Sequence, residues 1–193
     1  MKKIIITLLF GLILISASAQ VERLVGPRIG ITFVTAGSTA DFLHEGYDYV
    51  DDSETQLGQT GSAFTTQYGW QWETRFADGG GNVVGLVEWI ALVAGMEKGR
   101  FLPSVTSVIG ARTADGWEFG VGPTLALSGI GMVMGFGKNF KSGNLNLPVN
   151  IVYSPGKKLD DTYRDDNGNW TQIPYEYSTG ARISLMVGFN LSK

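Results

Sequence analysis

The sequence predicts an all-β chain folded as an eight-stranded antiparallel up-and-down transmembrane β-barrel behind a cleaved signal peptide. Three observations carry that prediction. The last stretch, Arg182 to Lys193, alternates Ile183, Leu185, Val187, Phe189 and Leu191 with Ser184, Met186, Gly188 and Asn190. A period of two marks a strand with one apolar face and one small or polar face. The chain also begins with an export signal, and the connections between its strand-like segments sort by length.

Residues 1–19 read as the signal peptide. Lys2 and Lys3 form the positive start, Ile4 to Ile15 the apolar run, and Ala17-Ser18-Ala19 the small-residue cleavage site before Gln20. The apolar run is too short for a stop-transfer helix, which needs about 20 residues. Residues 20–193 then form one domain, long enough for a sizeable core. There is no cysteine, which excludes a lipid-anchored lipoprotein and any disulfide, although an exported chain could carry one.

Without Lys2 and Lys3 the chain has 13 basic against 18 acidic residues, a net charge of −5. Nucleic acid is therefore not expected as a partner, because phosphate binding needs a basic footprint. Glycine, at 27 copies, is about twice its ordinary share of ~7% and follows no collagen period. In strands, glycine marks bends, bulges or close backbone approach.

Eight segments read as strands: Pro27–Ala36, Ala63–Ala77, Val83–Ala94, Phe101–Thr113, Trp117–Leu127, Gly129–Phe140, Asn144–Ser154 and Ala181–Leu191. No segment reads as a convincing amphipathic helix, and no internal repeat is present. Short turns at 78–81, 114–116 and 141–143 join strands 2–3, 4–5 and 6–7, whereas the long connections 37–61 and 155–180 join strands 1–2 and 7–8. In a meander, odd-numbered connections share one end, so both long loops fall together and the three short turns lie opposite. That sorting matches outer-membrane barrels, with short periplasmic turns and longer external loops.

The second strand sets Phe64, Thr66, Tyr68, Trp70, Trp72, Thr74 and Phe76 against Thr65, Gln67, Gly69, Gln71, Glu73 and Arg75. A soluble barrel would turn the aromatics inward, and a membrane barrel turns them to lipid. Most segments meet the ~9–11 residues needed to cross a bilayer, against ~5–6 for ordinary strands. The seventh strand alternates likewise, with Leu145, Leu147, Val149, Ile151 and Tyr153 against Asn144, Asn146 and Asn150. The inward parity collects Arg28, Glu73, Arg75, Glu88, Arg112, Glu118 and Arg182 as a lumen charge network. Charges of both signs in a narrow lumen should pair, since an unpaired buried charge is costly. An eight-stranded barrel is just wide enough for side chains to fill, which predicts a plugged interior. Val83–Ala94 is apolar on both parities and reads equally as a doubly buried strand or a short helix. Pro103, Pro123 and Pro148 each remove a ladder donor, which predicts bulges or irregular ends.

On the signal ending Ala17-Ser18-Ala19-Gln20, the alternating strands Ala63–Phe76 and Asn144–Ser154 and the closing strand Ile183–Leu191, the chain resembles small eight-stranded outer-membrane barrels of the OmpX and OmpA type. The resemblance is architectural, spans the whole mature chain and includes no diagnostic motif. It implies an outer-membrane location with periplasmic termini, contact with outer-membrane lipid, insertion through the barrel-assembly machinery, a monomer, and function carried by the external loops 37–61 and 155–180. The alternative is a periplasmic or secreted lipocalin-like barrel binding a small apolar ligand.

Catalysis and cofactors are not expected. Some barrels of this size are lipid A acyl-modifying enzymes that use His with Ser and an acid. His44, the single histidine, has no motif placing Ser53, Ser62 or Ser128 beside it. Asp165, Asn167, Asn169 and Glu176 fit positions 1, 3, 5 and 12 of a calcium loop, but Trp170 occupies the position that needs glycine. Both features read as parts of solvated acidic loops. The loop aromatics Phe42, Tyr47, Tyr49, Tyr163, Trp170, Tyr175 and Tyr177 read as packing within those loops, and the external partner is unknown.

Overall fold

A computed structural model describes residues 23–46, 60–78, 82–159, 162–164, 170–172 and 177–192. The signal peptide and the calcium-loop residues Asp165, Asn167, Asn169 and Glu176 lie outside the described residues. So do Tyr47, Tyr49 and Tyr175.

Eight antiparallel strands close into an up-and-down barrel. They are β1 (Arg23–Val34), β2 (Ala63–Asp78), β3 (Val83–Ala94), β4 (Leu102–Thr113), β5 (Trp117–Ala126), β6 (Gly129–Ser142), β7 (Leu145–Ser154) and β8 (Arg182–Gly188, continuing as Asn190–Ser192). Each pairs with its sequence neighbours, and β8 closes the ring on β1. One circuit of the ladder runs Arg23, Thr74, Val87, Ile109, Val121, Met134, Tyr153, Ile183 and back to β1 at Phe33. The return point lies ten residues beyond Arg23, which is the shear of the barrel. Eight strands with that stagger tilt by roughly 40° from the axis and enclose a lumen that side chains can fill.

Prolines interrupt the ladder without shifting it. β8 breaks at Phe189, yet β1 pairs with both of its halves in one register. Pro27 lies opposite Phe189 and accepts its N–H at 3.1 Å, but has no N–H to return. The β4–β5 ladder likewise skips the Pro123 region and resumes in register. Of the bulges or irregular ends expected at Pro103, Pro123 and Pro148, no bulge forms: the register is continuous at all three, with a ladder gap beside Pro123 on its β4 side, while Pro103 and Pro148 stand in unbroken pairings to β3 and β6. A register shift does occur between Arg75 and Ala77, against β3, where there is no proline.

Val83–Ala94, one of the eight segments expected as strands although it reads equally as a short helix, is strand β3. One further expectation needs correcting. The first long loop holds a helix, α1 (Ser38–Glu45), which buries Thr39, Ala40, Asp41, Phe42 and Leu43. Ala40 and Leu43 pack on Val34 and Ala63, at the adjoining ends of β1 and β2. That cluster covers part of the barrel mouth at the end carrying both long connections, here the loop end. A 3-10 turn, Met96–Lys98, lies at the same end between left-handed Gly95 and Gly99.

The two faces of the barrel are chemically opposite. Outward positions carry Ile31, Phe64, Trp89, Ile109, Leu125 and Ile130, each at least half exposed. Inward positions carry Arg28, Gln71, Glu73, Arg112, Glu118 and Asn190, each 6% exposed or less. The barrel is thus apolar outside, and its ionic and amide side chains are turned into the lumen.

Candidate functional site

The lumen is layered, as each strand shows when followed from the loop end inward. On β3, Leu92 and Ile90 precede Glu88. On β4, Thr106 and Val108 precede Arg112. On β5, Thr124 precedes Glu118, on β7 Val152 precedes Asn150, and on β8 Arg182 and Ser184 precede Met186. A polar mouth, an apolar belt and a charged layer follow one another down the axis.

The charged layer is one connected network. Arg112 donates Nη1 to Glu73 Oε1 at 2.7 Å and Nη2 to Glu73 Oε2 at 2.5 Å. Its Nε donates to Glu118 Oε1 at 2.5 Å. The other oxygen of Glu118 accepts from Asn150 Nδ2 at 3.0 Å, and Asn150 Oδ1 accepts from Arg28 Nη1 at 2.6 Å. Arg28 Nε donates to Gln71. The chain of contacts crosses from β2 through β4, β5, β7 and β1 back to β2, so it bridges the barrel. Bidentate, charge-assisted bonds of this kind fix geometry as well as charge. Lower still, Asn139 Nδ2 donates to Asn146 Oδ1 at 3.1 Å.

Of the seven expected network residues, Arg28, Glu73, Arg112 and Glu118 meet in this cluster. Glu88 faces the same lumen beside Arg28, Glu118 and Asn150. Arg75 lines the opposite opening of the barrel with Asn139 and Lys141. Arg182 sits at the loop-end mouth and donates to Ser154 Oγ at 3.2 Å; among the described residues it has no carboxylate partner. Sequence reasoning missed the neutral bridges Gln71 and Asn150. Both stood on the inward parity, and an amide can link two ions without carrying charge itself.

Above the network, the belt encloses a cavity of about 120 Å³. Its walls include Ile90, Leu92, Val108, Val133, Val152 and Met186, with Arg28, Glu88 and Glu118 beneath and Ser104, Thr106 and Arg182 above. A second cavity, about 290 Å³, lies under α1 and shares Gln67, Ser104 and Arg182 with the first. The two stand in series from mouth to belt.

His44 is exposed near the end of α1, and its Nε2 lies 3.2 Å from the backbone carbonyl of Ser62, not from the hydroxyl. Asp41, on the same helix, accepts from Thr60 Oγ1 at 2.5 Å. A nucleophile–base pair needs hydroxyl and ring nitrogen within reach, and among the described residues, which do not include Ser53, this arrangement does not supply one. Among the described residues there is also no cluster of three or more His, Cys, Asp or Glu able to hold a metal ion. No protein-family model matches the chain, and no curated protein matches it either.

Proposed function

We propose that the chain is an outer-membrane β-barrel with a structural or surface-interaction role, plugged by its own side chains and acting through its two long loops. One observation carries this reading: the outer face is apolar around the ring while Arg28, Glu73, Arg112 and Glu118 turn inward. In water, an exposed apolar surface of that extent is rare on a monomer, whereas a membrane barrel requires it. Trp117 supports the reading further. It stacks on Phe136 at 5.3 Å, and Lys138 Nζ lies 5.1 Å from its ring centroid and 5.8 Å from that of Phe140. These groups stand on the outer face near the short turns, where an aromatic belt and a snorkelling lysine suit a membrane–water boundary.

On this reading the short turns and both termini are periplasmic and the long loops external, and the monomer is inserted by the barrel-assembly machinery. The likeness to OmpX- and OmpA-type barrels belongs to the same proposal. The lipocalin-like alternative calls for aromatics facing a cavity, whereas Trp70, Trp72 and Trp89 face outward. The proposed role is neither catalytic nor that of an open pore, since the Arg28–Arg112 network spans the lumen. The test is fractionation followed by gel migration of unheated and boiled samples. Recovery with outer membranes and heat-dependent migration are expected; release by osmotic shock, without detergent, would overturn the reading.

A further inference from the structure

We propose that the apolar belt of the lumen is a binding site for a short aliphatic carboxylate, its chain among Ile90, Val108, Val152 and Met186 and its head on Arg182. The first argument is the void itself. Close-packed interiors seldom leave apolar space unfilled, and an apolar cavity of ~150 Å³ elsewhere stays dry and admits benzene. The cavity here, about 120 Å³, therefore suits a chain of about five or six carbons. Water is a poor occupant, because the belt offers it few polar partners.

The second argument concerns Gly135 on the cavity wall. A Cβ built there meets only Val152 Cγ2, at 3.8 Å, and its φ is not in the left-handed region. Neither backbone conformation nor close strand approach requires glycine at this position. A side chain would instead project into the void, so glycine keeps it open.

Charge sets the ligand class and its orientation. Arg182 belongs to both cavities, and among the described residues its hydrogen bond goes to a serine hydroxyl. At the belt floor Arg28 is already bonded to Gln71 and Asn150 and lies beside Glu88 and Glu118, so the cation facing open space is Arg182 at the mouth, and the chain points down. The cavity beneath α1 provides the approach from the loop end.

The experiment uses the full barrel in lipid nanodiscs, with the Met186 methyl signal followed by NMR during titration with hexanoate, butanoate, hexan-1-ol or hexylammonium. Hexanoate is expected to shift Met186 saturably and to bind roughly fifteenfold more tightly than butanoate, at about fourfold per buried methylene. Gly135→Leu should abolish the shift. Arg182→Gln should weaken hexanoate roughly tenfold, the scale of a lost charge-assisted bond, and leave hexan-1-ol unchanged. Gly135→Ala, which adds one methyl group, should weaken binding partly and serves if the leucine variant fails to fold. A Met186 signal unmoved by hexanoate, equal binding by Gly135→Ala and wild type, or preference for hexan-1-ol or hexylammonium would overturn the proposal. Heat-dependent gel migration of the same samples reports separately on the membrane reading.

Discussion

Arg112 and Glu73 meet end-on in the barrel lumen, both Nη nitrogens to both carboxylate oxygens at 2.7 and 2.5 Å, although they stand on β4 and β2, with β3 between them. Arg112 bonds Glu118 as well, so one guanidinium serves two buried carboxylates. Removing it strands both. Arg112→Met should destabilise the barrel by about 3–5 kcal/mol, the usual cost of breaking a buried ion pair from one side. Adding Glu73→Gln and Glu118→Gln should recover much of that loss. Urea unfolding of barrels in vesicles checks both; a single variant as stable as wild type would show that the network contributes little.

Ile109 distinguishes a barrel in lipid from one in water. It is 62% exposed, on the outer face of β4, and pairs with Val87 and Val121. On a soluble surface Ile109→Arg should change stability by no more than about 0.5 kcal/mol. Facing a bilayer core it should cost about 2–4 kcal/mol. The expected outcome is the larger loss, measured by reversible folding into vesicles.

Two lumen-facing glycines should respond in opposite directions to one methyl group. A Cβ at Gly122 would lie 1.8 Å from the carbonyl oxygen of Ser107 and 2.8 Å from its carbon. Those are backbone atoms of β4, beside the ladder gap near Pro123, and can yield only if the strands separate. Gly122→Ala should therefore cost about 1–3 kcal/mol, as overpacking does, or prevent folding. Gly135→Ala meets only an ordinary contact and should be neutral or gain about 0.4–1 kcal/mol through the unfolded state. Folding yields and urea midpoints of the two variants, compared side by side, test the contrast.

These cases show what a single sequence reveals and what it hides. Alternation in β2, β7 and β8 made the faces legible, because a strand with opposite faces writes a period of two. The shared end of the long loops was legible from strand parity. α1 escaped because it is one short helix in which Ser38, Thr39, Asp41, His44 and Glu45 outnumber the apolar residues, and its burial depends on Val34 and Ala63. β3 was ambiguous for a reason now visible: Ile90 and Leu92 face an apolar section of the lumen, so both of its faces are apolar. The network's amides were hidden differently. Gln71 and Asn150 acquire their role from Arg28 and Glu118, which lie on other strands.

Glu97, in the 3-10 turn at the loop end, should titrate below the ordinary carboxylate range. Burial acts to raise its pKa, but hydrogen bonds outweigh that effect. Its Oε2 accepts from the Thr66 hydroxyl at 2.6 Å and its Oε1 from the Thr66 amide at 3.1 Å, and its own backbone N–H and Thr65 contribute too. A carboxyl lowered in the folded state stabilises that state above its unfolded pKa of about 4.3. The contribution is lost as pH falls through the lower, folded value. The Thr66 amide resonance should therefore follow the carboxyl with a midpoint below about 4.3, while Glu97→Gln should remove the transition. A wild-type Thr66 midpoint at or above the ordinary glutamate value would show that these bonds do not favour the ionised form.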